Sequence, residues 1–267
     1  MPPDTPDPGA IAAAVRILQD TRKLAVLTGA GMSQESGVPT FRDELTGLWA
    51  TFNPAELATE SAFRRNPARV FSWYVTRLSR VRDVTPHEGY LSLVTMERHF
   101  DRVVVITQNV DGLHTRSGSR HVLEIHGSLE RFRCLDAGHP YDRDVLELAD
   151  GEEIDDGEMF EPPLCTECGS PVRPGVVWFG EMLPESEVEL AWQAAADADA
   201  MLVVGTSAEV FPAADLPRIT AASGAKVIEI NPSVTPISSY ADVCCRGTAA
   251  RALTAISVEL EHQLSLG

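Results

Sequence analysis

Four short runs constrain the fold more than any other feature of the chain. They are residues 24–27 (LAVL), 102–107 (RVVVIT), 202–204 (LVV) and 226–230 (KVIEI). Each is apolar, rich in β-branched residues and only a few residues long. Such runs fit strands buried on both faces, the situation of a parallel sheet. Helical spacing fills the intervals. Ile11, Val15 and Leu18 share one face, and helices are expected over residues 86–96, 187–198 and 250–264. Strands alternating with helices predict an α/β fold, a doubly wound, Rossmann-like parallel sheet. Ligands of such sheets sit beyond the carboxyl ends of the strands. Each run here ends in glycine or polar residues: Gly29 and Gly31, then Gln108 to His114, then Gly205-Thr206-Ser207, then Asn231-Pro232. A further strand over 122–125 ends in His126-Gly127.

Residues 27–42 read LTGAGMSQESGVPTFR. Glycine tolerates positive φ and has no Cβ to hold a phosphate away from the backbone. The dinucleotide fingerprint G-x-G-x-x-G/A fails at its sixth position, Gln34. Ser33, Glu35 and Ser36 lie where a short helix could start, and Gly37-Val38-Pro39 stops it within about a turn. Thr40-Phe41-Arg42 then put an aromatic and a guanidinium beyond the break. A dehydrogenase would continue its helix here. The stretch divides into a phosphate cradle and a lid near residues 39–46 that orders when ligand binds. A bare G-x-G is equally compatible with a structural turn.

Two segments interrupt the alternation. Residues 43–85 are helical and aromatic, and residues 128–174 hold cysteines, prolines and an acidic tract. The expected division is a sheet domain from 1–42, 86–127 and 175–267. A smaller lobe comes from 43–85, a helical module, and 128–174, a zinc-ribbon-like module. The length of 267 residues accommodates both. A formal charge of −17 argues against nucleic acid and anionic membrane as partners. No apolar run approaches the ~20 residues of a membrane helix. The opening MPPDTPDPGA has neither a basic n-region nor an apolar h-region. A cytoplasmic location with reduced thiols is therefore expected, the five cysteines serving as metal ligands or core residues.

Six stretches occur in order: GAGMSQESGVPTFR (29–42), TQNVDGLH (107–114), EIHGS (124–128), VVWFGE (176–181), GTSAEVFP (205–212) and INP (230–232). Together they resemble the sirtuins, NAD-dependent protein lysine deacylases, over nearly the whole chain. The resemblance implies cleavage of the nicotinamide–ribose bond of NAD, with the acyl oxygen of a modified lysine capturing C1′. The protein's tasks are then positioning and electrostatics. His126 is implied as the general base. Asn109 and Asp111 suit the nicotinamide carboxamide, which both donates and accepts; an Asx turn before Gly112 explains the same residues. Gln108 is expected at the cofactor ribose. Gly29, Ala30, Gly31, Gly205 and Ser207 are expected at the diphosphate, with Arg42 as the cation and Phe41 over the reacting ribose. Asn231 fits an adenosine ribose and Ala249 the adenine. Glu35, Thr40, Trp49 and Thr206 complete the cofactor set. Acylated lysines of proteins are the implied partners, held along Val177, Trp178, Phe179 and Gly180 by backbone pairing.

Tyr74 and Arg77, three apart on an expected helix, share a face and could clamp a carboxylate. With the small Ala58 sixteen residues before Tyr74, this resembles the sirtuins that prefer succinyl, malonyl or glutaryl lysine. A tyrosine in the core beside a solvated arginine accounts for the same pair. Sirtuins also carry two C-x-x-C pairs for structural zinc. Cys165 and Cys168 form one. The other is broken, because Cys134 is followed at the matching place by Ala137. His139 is a candidate fourth ligand, and loss of the metal is the alternative. Oligomeric state is left open by the sequence.

Overall fold

The computed structural model describes residues 6–38, 57–146 and 159–266. Helix α1 (Pro8–Gln19) starts at an Asp7 cap, whose carboxylate accepts from the Gly9 and Ala10 amides. It leads into the central strand, β1 (Lys23–Thr28). To one side lie β2 (Arg102–Thr107) and β3 (Val122–Glu124). To the other lie β7 (Ala200–Val204), β8 (Lys226–Ile230) and β9 (Val243–Cys245). All five pairings are parallel, with Leu24 opposite both Val103 and Ala200. Neighbouring residues alternate between two cores. Leu24, Val26, Leu202, Val204, Ile228 and Ile230 pack on one face; Ala25, Leu27, Met201, Val203 and Val227 pack on the other. Burial on both faces is why these strands read as continuous apolar runs.

The helices divide between the faces. On the first face are α1, α4 (Glu88–Met96) and α8 (Ala249–Leu266); on the second are α6 (Glu185–Asp197) and α7 (Leu216–Ala222). The chain winds outward from β1 through β2 to β3, then crosses back to β7. The strand order therefore reverses between β1 and β7, and the crevice for a ligand opens at such a reversal.

A second sheet follows β3. Strand β4 (Gly127–Cys134) pairs antiparallel with β5 (Pro140–Tyr141) and β6 (Val172–Val176). The sequence predicts no strands here. The register slips between Ser128 and Phe132, which breaks the period-two pattern that would have announced β4. Helices α2 (Glu60–Arg65) and α3 (Pro67–Asp83) lie against this sheet, capped by Thr59 and Asn66. Arg116, on the short helix α5 (Leu113–Ser117), donates to the Val81, Arg82 and Val84 carbonyls at the end of α3. Arg82 reaches the other way, to Glu130 and Asp144. Among the described residues, no helix is long and apolar enough to cross a membrane.

Candidate active site

The carboxyl ends of β1, β2, β3, β7 and β8 are tied to one another by hydrogen bonds. Gly29 N donates to Val204 O, Gly205 N to Ile230 O, and Gln108 N to Thr28 O, each at 3.0 Å. Side chains extend the pattern. Asn109 Nδ2 donates to Gly29 O, Gln108 Nε2 to Thr206 Oγ1, and Asn231 Nδ2 to Thr206 O. Gly29, Gln108, Asn109, Thr206 and Asn231, expected around one ligand, thus form one connected edge.

The glycines have a reason the sequence did not supply. A Cβ on Gly31 would lie 2.8 Å from Gly205 Cα, and one on Gly29 would lie 2.8 Å from Thr206 Cβ. Gly205, at φ +61°, could place a Cβ only 2.4 Å from Met32 N. The two loops at the strand reversal touch backbone to backbone. That contact sets the shape of any cradle there. Ala30 and Ser207, half-buried and exposed, stand on these same loops. The expected short helix appears as two tight turns, Ala30–Met32 and Gln34–Ser36, ended by Gly37 at φ +90°. Glu35, expected at the cofactor, has its carboxylate on Ala250 N at 2.7 Å, at the start of α8 beside Ala249. Thr40, Phe41, Arg42, Trp49 and the expected lid lie outside the described residues.

His126 stands one residue beyond Ile125, at the end of β3. Its Nδ1 lies 3.0 Å from Gln108 O. A carbonyl only accepts, so Nδ1 carries the proton and Nε2 is the basic nitrogen. Burial lowers its pKa below the ordinary value, with the Gln108 carbonyl opposing in part. Asp111 is 4% exposed; Leu113 N and Ser33 Oγ donate to its carboxylate at 2.9 and 2.6 Å. Burial nevertheless raises its pKa, against those bonds and the charges of Arg77 and Arg116. The Asx turn read from the sequence is present as the bond to Leu113 N. It occupies one carboxylate oxygen while Ser33 holds the other.

The lower wall of this site was not legible beforehand. Thr28 Oγ1 donates to Thr107 Oγ1 and meets His114 Nε2 at 3.0 Å. Tyr90 is fully buried between the rings of His87 and His114, and its hydroxyl lies 2.8 Å from Ser33 Oγ. His87 Nδ1 accepts from Gly89 N, so Nε2 donates to Met32 O at 2.7 Å. Ser33 alone had a signal, its place in the glycine loop. The others stand on elements whose partners are distant in sequence.

Trp178 is buried against Phe63 and Tyr74, with the Arg173 guanidinium stacked on its ring. Its Nε1 donates to Tyr74 Oη at 3.0 Å. Arg77 lies over Trp73, and its charge reaches Asp111. Arg77 is half-buried, while Tyr74 lies in the core. Ala58 is buried, and its carbonyl accepts from Phe179 N. The expected peptide edge differs in kind. The N–H groups of Val177, Trp178 and Phe179 bond to His126 O, Glu181 Oε2 and Ala58 O. The segment through Gly180, at φ +89°, is a turn and not an open strand edge.

The four metal candidates converge. The donor atoms of Cys134, His139, Cys165 and Cys168 lie within 4.8 Å of one another. Two similar turns carry them: Gly138 N donates to Cys134 O, and Gly169 N to Cys165 O, both glycines being left-handed. Ala137 lacks a donor, and His139, just past Gly138, returns its ring instead. Cys168 Sγ lies 3.7 Å from Cys134 Sγ, and His139 Nδ1 lies 3.6 Å from Cys165 Sγ. Tetrahedral zinc with bonds of about 2.3 Å to sulfur and 2.0 Å to nitrogen needs ligand separations close to these. Hydrogen bonds from the Glu167 and Cys168 backbone lower the Cys165 thiol to about 6, which favours the ligating thiolate. His139 Nε2 faces Glu167 Oε2 at 3.8 Å. The residues present fit zinc. Cys244 and Cys245 lie apart from this group, on β9.

The model of the Sir2 family matches residues 29–212. An NAD-dependent protein deacylase of Mycolicibacterium paratuberculosis is 47% identical over 243 residues, 91% of this chain and 100% of the relative. NAD-dependent protein deacylase 1 of Pseudomonas aeruginosa is 44% identical, over 90% and 95% of the two chains. The crystal structure of a Sir2 homologue–NAD complex superposes with a TM-score of 0.85 at 39% identity, over 95% of this chain and 94% of that one. A strand reversal lined by packed glycines, a half-buried histidine with a defined basic nitrogen, and four converging metal-ligating side chains accord with these matches: the chain belongs to the Sir2 family, the sirtuins.

Proposed function

We propose that this chain removes acyl groups from lysine side chains of proteins at the expense of NAD, releasing nicotinamide and O-acyl-ADP-ribose, with a preference for acidic acyl groups such as succinyl and malonyl. The observation that carries the reading is His126, whose Nδ1 proton is committed to Gln108 O. Nε2 then accepts a proton from a ribose hydroxyl, and burial keeps the ring neutral near pH 7. NAD supplies the ribose carbon that takes the acyl oxygen. Asn109 and Asp111 hold the carboxamide end. Gly29, Ala30, Gly31, Gly205, Thr206 and Ser207 line the diphosphate, and Asn231 and Ala249 the adenosine. Zinc, held by Cys134, His139, Cys165 and Cys168, has a structural part, fixing β4 and β6 in a small lobe apart from the six-stranded sheet.

Acidic-acyl preference is supported by Tyr74 and Arg77. A phenol oxygen that accepts from Trp178 uses its own O–H as a donor elsewhere. Arg77 brings positive charge to the Asp111 end of the site. An acetyl group has no carboxylate for either. The test is turnover of matched acetyl- and succinyl-lysine peptides with NAD. Faster turnover of succinyl is expected, and Arg77→Met should lower it about tenfold or more while sparing acetyl. Equal losses on both substrates would make Arg77 a counter-ion for Asp111 and remove the clamp. His126→Ala should abolish nicotinamide release; undiminished release would refute the base assignment.

A further inference from the structure

Ser33 Oγ has three polar neighbours, and its valence fixes their directions. Asp111 Oδ2, 2.6 Å away, is a carboxylate oxygen and takes the single hydroxyl proton. Asn109 Nδ2, 2.9 Å away, is a donor only. Tyr90 Oη, 2.8 Å away, must therefore donate as well, filling the second lone pair. Tyr90 is 0% exposed, and the His87 and His114 rings, with centroids at 4.9 and 4.7 Å, leave its ring no other place. The phenol oxygen also meets the Asn109 side chain, while its hydrogen-bonded link to Asp111 runs through Ser33 Oγ.

We propose that Tyr90 is a positioning residue for the nicotinamide end of the site, acting through Ser33 to fix Asn109 and Asp111 in one arrangement. The inference rests on the reading that those two residues meet the carboxamide. Donation into Ser33 Oγ polarises the Ser33 hydroxyl and strengthens its bond to Asp111. It also keeps the Ser33 oxygen where Asn109 can reach both it and Gly29 O. Without the phenol proton, Ser33 can rotate away, and both carboxamide partners lose a fixed anchor. The adenosine end, at Asn231 and Ala249, shares none of these bonds.

The test is Tyr90→Phe, which removes one oxygen from a buried ring. Three quantities are measured: inhibition by free nicotinamide, KM for NAD, and Kd for ADP-ribose, which lacks the carboxamide. The first two should weaken about tenfold, the scale of one hydrogen bond, and the third should stay within about twofold. A common shift of all three would mean loop collapse and overturn the inference, as would no shift in any. Should the variant fail to fold, Ser33→Ala carries the test and should give the same split. Where both fold, the double variant should lose less than the sum of the two single losses, and additive losses would refute a shared route. Asp111→Asn separates the two claims. If it abolishes nicotinamide inhibition while Tyr90→Phe does nothing, the relay is wrong; if it too does nothing, the carboxamide reading is wrong and the inference falls with it.

Discussion

Replacing Gly205 by alanine would put a methyl carbon 2.4 Å from Met32 N and 2.5 Å from Gly31 C. Both are backbone atoms, so no rotamer change relieves the overlap. The φ of +61° adds the left-handed penalty of an L side chain, about 1–2 kcal/mol. Overpacking adds about 1–3 kcal/mol. The sum is about 2–5 kcal/mol, which for a chain of this size lowers Tm by about 10 °C. Gly224 is the control. It has φ +86° but no atom within 4 Å of its would-be Cβ, so Gly224→Ala carries the conformational term alone. Thermal unfolding followed by circular dichroism compares the two. KM for NAD should rise only for Gly205→Ala, because relief comes by moving the Gly29–Ser33 loop. Equal melting of the two variants would refute the close-packing argument, and an unchanged KM would separate the glycine contact from the ligand site.

Zinc should be present at about one ion per chain in protein purified without chelator, and His139→Ala should lower that content; full retention in the variant would remove His139 from the ligand set. Complete burial pushes the His114 imidazole down from its ordinary 6.5 to about 3, with the neighbouring His87 adding to the shift. The unfolded chain then binds the extra proton between those values, so stability falls as pH drops from about 6.5 towards 3. His114→Gln should flatten that slope in urea unfolding between pH 7 and 5, and an identical slope would contradict the burial of a neutral ring. Through His126, the activity should rise with pH along an acid limb that lies below the ordinary histidine value; a limb above it would argue against a partly desolvated base.

Much of the frame was legible because parallel strands buried on both faces leave a local signature. Lys226–Ile230 and Arg102–Thr107 appear where their apolar runs predict them. The strands β4, β5 and β6 left none, since a register slip interrupts the alternation of β4 and β5 is only two residues long. The metal group lay between these cases. Cys165 and Cys168 announce themselves by spacing, whereas His139 depends on how a turn after Gly138 returns the chain to Cys165.

The sequence alone determined five of the sheet's six strands, all but β9, the glycine and polar residues at their ends, and membership of a family through six ordered stretches. Those features are local: a run of apolar residues or a turn is encoded where it stands. Only the tertiary structure decided why Gly29, Gly31 and Gly205 admit no side chain, which proton His126 keeps, and that Tyr90, His87 and His114 lie beneath Ser33. Each of these depends on groups far apart in the chain being brought within hydrogen-bond or van der Waals distance. Those contacts range over tens to hundreds of residues, as between Gly31 and Gly205 or Tyr90 and Ser33.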